Sequence, residues 1–103
     1  AAFEEIRRQD AGGLKPIIPP DGQVNWLGFQ NNESVMIAFM NYGTTDGDVS
    51  CQIDSRDVGS PAIWPKSVHK YKDGKSVTDT WDGTTPVTVY KDGLTLLEWS
   101  VHR

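Results

Sequence analysis

The chain predicts an all-β fold, a small antiparallel β-sandwich of the immunoglobulin-like or jelly-roll kind with about seven strands and a short N-terminal helical or extended arm. Three observations carry that prediction. The string Tyr-Lys-Asp-Gly occurs at Tyr71–Gly74 and again at Tyr90–Gly93, each time between segments of alternating polar and apolar residues. Asp-Gly supplies the positive φ that a two-residue hairpin turn needs. From Gln23 onward, short β-favouring runs are bounded by Gly, Asn, Asp or Pro clusters, which is the punctuation of strands. Finally, 103 residues suffice for one domain with a single two-layer core and leave no room for a deep cleft beside it.

The opening segment follows a different pattern. Residues 2–9 place Glu4 and Glu5 first and Arg7 and Arg8 last, complementing a helix dipole, with Phe3 and Ile6 three apart on one face. A short helix is expected there, ended by Gly12-Gly13. Pro16, Pro19 and Pro20 then impose an extended path to Asp21-Gly22. Residues 1–22 are thus expected as an arm and residues 23–103 as the sandwich. Two apolar anchors cannot hold such an arm helical in water. It therefore packs on its own sandwich, frays, or reaches a second subunit, which makes a homo-oligomer through residues 1–22 one expectation.

Strands are expected near 23–29, 34–42, 48–55, 67–72, 75–81, 87–91 and 94–102. The link 56–66, with Gly59-Ser60-Pro61 and Trp64-Pro65, is the natural crossover between sheets. If Asp73-Gly74 is a two-residue loop, Tyr71 faces Ser76, Lys70 faces Val77, His69 faces Thr78 and Val68 faces Asp79. The same rule at Asp92-Gly93 pairs Tyr90 with Thr95 and Val89 with Leu96. In the last strand Leu97, Trp99 and Val101 alternate with Leu96, Glu98 and Ser100. Both of its faces carry apolar weight, so a central place in its sheet is expected.

Composition narrows the function classes. Ten Lys and Arg against fourteen Asp and Glu give a net charge of -4, with the cations scattered along the chain. Nucleic acid is not an expected partner. The longest apolar run, 35–40, is far short of the ~20 residues of a membrane helix, so no transmembrane segment is expected. Cys51 is the one cysteine, so no internal disulfide forms. Alternation puts it on one face with Val49 and Ile53, as a buried structural thiol. Asp46-Gly47-Asp48 lacks the full calcium-loop spacing, and no metal or other cofactor is expected. Neither histidine sits in a nucleophile motif, and catalysis is not expected. Asn32-Glu33-Ser34 is a glycosylation sequon in an expected loop.

The aromatic residues carry the functional expectation. Four tryptophans exceed what one small core requires. Trp26 and Trp99 fall within strand patterns and suit the core. Trp64 and Trp81 fall at loop edges, where an exposed indole beside carboxylates and amides suits a sugar: ring faces stack on C–H groups, and Asp and Asn meet hydroxyls. The expected ligand-binding set is Trp64, Trp81, Tyr71, Asp79, Asp82 and Asn31, with a glycan or a protein surface as partner. A carbohydrate-binding or lectin-like module, secreted or extracellular, is the first reading. A virion, fibre or appendage subunit using its N-terminal arm is the second, and a host-directed effector or toxin component is the third. No motif long enough to name a family is present.

Overall fold

The computed structural model describes the backbone of residues 4–6 and the whole of residues 14–30, 33–53 and 64–100. Nine strands form: β1 (Glu4–Ile6), β2 (Leu14–Ile17), β3 (Val24–Gln30), β4 (Ser34–Asn41), β5 (Gly47–Ile53), β6 (Lys66–Lys72), β7 (Lys75–Thr80), β8 (Val87–Val89) and β9 (Leu94–Ser100). They make two antiparallel sheets, a larger one in the order β1-β3-β4-β9-β6-β7 and a smaller one in the order β2-β5-β8. The chain changes sheet between β5 and β6, where the crossover is expected; residues 54–63 of that link lie outside the described ones. No helix of the described residues is long and apolar enough to cross a membrane.

The core lies between the sheets. Phe39, Ile37, Leu97 and Val24 from the larger sheet meet Val49, Val89 and Cys51 from the smaller, all almost wholly buried. Alternation along β9 is regular, with Thr95, Leu97 and Trp99 buried and the residues between them half-buried. As expected, β9 is central, between β4 and β6.

The N-terminal segment corrects the sequence reading. Where a helix is expected, Glu4–Ile6 is a strand, pairing Glu5 with Phe29 and Ile6 with Gly28. A helix of two turns is marginal in water, whereas the edge of β3 offers backbone partners. The described part of the Pro-rich link is also a strand, pairing Pro16 with Cys51. Proline is tolerated there because β2 is an edge strand. Leu14 is only 3% exposed and belongs to the core, so both described pieces of residues 1–22 lie in the sheets of their own chain.

The two Tyr-Lys-Asp-Gly copies turn differently. The first makes the expected hairpin, with Lys72 opposite Lys75, Tyr71 opposite Ser76 and Val68 opposite Asp79, and positive φ at both Asp73 and Gly74, as a type I′ turn requires. The second is not a hairpin. Gly93 N–H donates to the Tyr90 carbonyl at 2.8 Å and only Asp92 has positive φ, so the turn sits one residue earlier. It carries the chain from β8 in the smaller sheet to β9 in the larger. Val89 therefore pairs with Gly47 and Leu96 with Ala38 and His69, not with each other.

Three strands cannot cover six. Every residue of β7 is exposed, and that strand overhangs the smaller sheet. The face of the larger sheet turned away from the core is ranked by register. One rank runs Leu27, Ala38, Leu96, His69, Thr78; the next runs Phe29, Met36, Glu98, Ser67, Thr80; the third runs Asn25, Met40, Leu94, Tyr71, Ser76.

Candidate functional site

The exposed indoles that the sequence suggests are not there. Trp64 is 3% and Trp81 9% exposed. Both stand in loops, yet the loops fold their rings into the end of the sandwich. Trp81 packs edge-on against Trp99, with centroids 5.4 Å apart and planes at 75°, and its Nε1–H donates to the Thr85 carbonyl at 2.8 Å. That contact satisfies the indole's polar group and leaves the rest of the ring to the core.

The other expected site residues disperse. The Asp82 carboxylate accepts from the backbone N–H groups of Thr84 and Thr85 at 2.8 and 2.7 Å, and from both threonine hydroxyls. Those bonds, Thr85's first, hold its pKa well below the usual carboxylate range. Asp82 thus caps its own loop, which in turn carries the carbonyl that anchors Trp81. Asp79 is exposed on β7, on the sheet face opposite to Tyr71, since it pairs with Val68 and not with an odd-numbered neighbour of Tyr71's face. Asn31, and Asn32 of the sequon, lie outside the described residues.

Tyr71 leads to a different site. The two Tyr-Lys-Asp-Gly copies converge at one end of the larger sheet. Asn41 N–H donates to the Gly93 carbonyl at 3.3 Å, and Asp92 N–H donates to the Asn41 carbonyl at 3.2 Å, so the second copy docks on the end of β4. Gly93 also lies against the first copy: a Cβ added there would stand 2.9 Å from the Tyr71 carbonyl oxygen. An open groove of about 460 Å³ follows from this convergence, with Tyr42, Tyr71, Asp73, Asp92, Met40 and Leu94 among its lining residues. Tyr42 is 69% and Tyr71 39% exposed. Among the described residues, these are the two exposed aromatics.

The chain matches no family model, no curated protein and no solved structure. The site's chemistry therefore rests on its own residues. Lys72 and Asp73 line both this groove and a second one of about 580 Å³ on the other face of the β6–β7 hairpin. The second groove gathers Lys70, Lys72 and Lys75 beside Val77, Asp79 and Tyr90, with Lys72 Nζ 4.9 Å from the Tyr90 ring centre. Lysines scattered in sequence thus stand together in space, because hairpin register puts 70, 72 and 75 on one face.

Tyr42, Asp73 and Asp92 are missing from the set expected from sequence. The repeat itself is the signal for the two aspartates, and Tyr42 announces itself only as an aromatic at a strand end before Gly43-Thr44-Thr45. The arrangement suits binding of a polar, ring-bearing ligand: two phenol faces for stacking, two carboxylates as acceptors, and an ammonium between the grooves as donor.

Proposed function

We propose that this protein is a non-catalytic, extracellular binding module for carbohydrate, and that its ligand lies in the groove between the two Tyr-Lys-Asp-Gly copies. The observation that supports the reading is the placement of the two exposed tyrosines, Tyr42 and Tyr71, on one open groove with Asp73 and Asp92. Sugar C–H faces stack on phenol rings and sugar hydroxyls donate to carboxylates. The tryptophan-based version of the site gives way to this tyrosine-based one.

The assembly reading through residues 1–22 loses its main argument, since Leu14 is buried and β1 and β2 pair within their own chain. The effector reading needs an aromatic surface to meet lipid or a receptor; with the four indoles buried, Tyr42 and Tyr71 are the exposed aromatics left for it among the described residues.

The test is a titration of isotope-labelled protein with a panel of neutral and acidic soluble oligosaccharides, followed by amide chemical shifts. Saturable shifts at Tyr42, Tyr71, Asp73 and Asp92 are expected for at least one sugar. Tyr42→Ala and Tyr71→Ala should each weaken it by about ten-fold, the equivalent of one lost stacking contact. A panel that produces no saturable shift at these residues overturns the reading.

A further inference from the structure

We infer that the outward face of the larger sheet is a self-association surface, on which two copies of this chain pack face to face. Half of that face is apolar. Leu27, Phe29, Met36 and Leu96 surround Ala38 on β3, β4 and β9, and each of the four is half-buried with no second layer over it among the described residues. Met40 and Leu94 extend the patch toward the groove. Antiparallel sheets ordinarily alternate apolar inside with polar outside, and β3, β4 and β9 break that rule together, in register, on one side.

Charge selects the occupant. No lysine or arginine among the described residues stands on this face. Its one described carboxylate, Glu98, is matched by its one imidazole: His69 Nε2 lies 3.0 Å from Glu98 Oε1, Ser34 Oγ donates to Glu98 Oε2 at 2.8 Å, and His69 Nδ1 meets Thr78 Oγ1 at 3.0 Å. Covering the face leaves neither ionisable group without a partner. A chain of net charge -4 meets its own copy most easily where that charge is sparse, and the centre of this face, around Leu27, Ala38 and Leu96, is such a place, with Glu5 at its β1 edge by register. A lipid surface would call for cations beside the apolar patch, but the lysines of β6 and β7 occupy the opposite side of the sheet.

Area is consistent with a weak dimer. Five strands at ~4.8 Å spacing and about six residues at ~3.3 Å rise give a face on the order of 500 Å² in projection. That approaches, without reaching, the about 800 Å² per partner of a standard interface.

Sedimentation velocity over a concentration series tests the proposal. The wild-type chain should pass from monomer to dimer with a midpoint on the order of 10–100 µM. Leu96→Lys should hold it monomeric at every concentration, while Ile17→Lys, at an exposed apolar position on the other sheet, should leave the dimer intact. Thermal midpoints certify that each variant is folded, and Met36→Lys replaces Leu96→Lys if that variant is not. A wild-type chain monomeric throughout overturns the inference, as does a dimer indifferent to both face variants. Flotation with phosphatidylcholine vesicles completes the set: binding by monomer that Leu96→Lys abolishes would assign the face to lipid and overturn the dimer. Sugar titration below the dimer midpoint reads the groove by itself, so failure of one proposal is distinguishable from failure of the other.

Discussion

Asn41 Nδ2 donates to the Val89 carbonyl at 3.0 Å, a bond that ties β4 of the larger sheet to β8 of the smaller. The same side chain donates to the Thr45 carbonyl at 2.9 Å and accepts from Gly43 N–H at 2.9 Å. At 2% exposure, this amide is a polar group in the core whose bonds shape the loop carrying Tyr42. Asn41→Ala would leave two carbonyls and one N–H without that partner, at a cost of about 2–4 kcal/mol. Urea unfolding at pH 7 measures it. A loss under about 0.5 kcal/mol would mean that water replaces the amide and that the sheets are not tied here.

Glycines at equivalent positions of the two repeats should behave differently. Gly74 has φ of 75° and nothing within 4 Å of an added Cβ, so Gly74→Ala carries only the left-handed backbone penalty of about 1 kcal/mol. Gly93 lacks positive φ, yet its Cβ would stand 2.9 Å from the carbonyl oxygens of both Tyr71 and Tyr90. Backbone must move to admit it, and the two copies must part. Gly93→Ala should therefore destabilise more than Gly74→Ala and also perturb the amide shifts of Tyr71 and Tyr42, whereas Gly74→Ala leaves Tyr42 unmoved. Equal unfolding midpoints for the two variants would refute the close approach.

Iodide should quench the intrinsic tryptophan fluorescence weakly. All four indoles are 9% exposed or less, and a hydrated anion does not enter a packed core. Strong quenching in the folded state, lost neither with salt nor with added sugar, would contradict the burial of Trp64 and Trp81.

Local turn chemistry made the fold legible where a turn acts alone. Asp73-Gly74 sits between two strands that have only each other to pair with on that side, and its register follows residue by residue. Asp92-Gly93 has the same dipeptide, but β9 finds longer partners in β4 and β6, and tertiary pairing overrides the local preference. Residues 4–6 fail in the same sense: a dipole-matched charge pattern is worth little against a vacant sheet edge. Among the residues of the candidate groove, Tyr71 is the one that the sequence reading also names, through the repeat. The burial of Trp64 and Trp81 was not legible, because a loop position says nothing about which way an indole folds, and the Thr85 carbonyl that captures Trp81 is set by the Asp82 cap. Tyr42 has no local signal beyond its strand end. Its partners come from Tyr71–Gly74 and Asp92–Leu94, remote in sequence and joined only by the second turn.

Asp82 should make the loop of Trp81 acid-sensitive. Its folded pKa is depressed below the ordinary value of 3.8 by the hydrogen bonds of Thr85 and Thr84. The stabilisation is therefore present above that ordinary value and is lost as pH falls from it toward the folded one. Asp82→Asn should lower the thermal midpoint at pH 7 and flatten its fall between about pH 4 and 2. An unchanged acid limb would place the acid sensitivity elsewhere.

Cys51 should govern the alkaline limb. Burial raises its thiol pKa from 9.0 to about 12, only partly offset by a hydrogen bond with the Lys15 backbone. The folded state thus keeps a proton that the unfolded chain releases. Its contribution is whole below about pH 9 and declines as pH rises toward 12, at up to about 1.4 kcal/mol per unit. Cys51→Ala removes the titration along with a small volume of core, so the variant should start less stable at pH 7 and lose less between pH 9 and pH 11. The same burial predicts that a thiol reagent labels the native chain only at the rate of opening, and labels the urea-unfolded chain at once. Immediate labelling of the native protein, or parallel alkaline limbs for the two chains, would show that the thiol is reached by solvent and that the seam between β2 and β5 is open there.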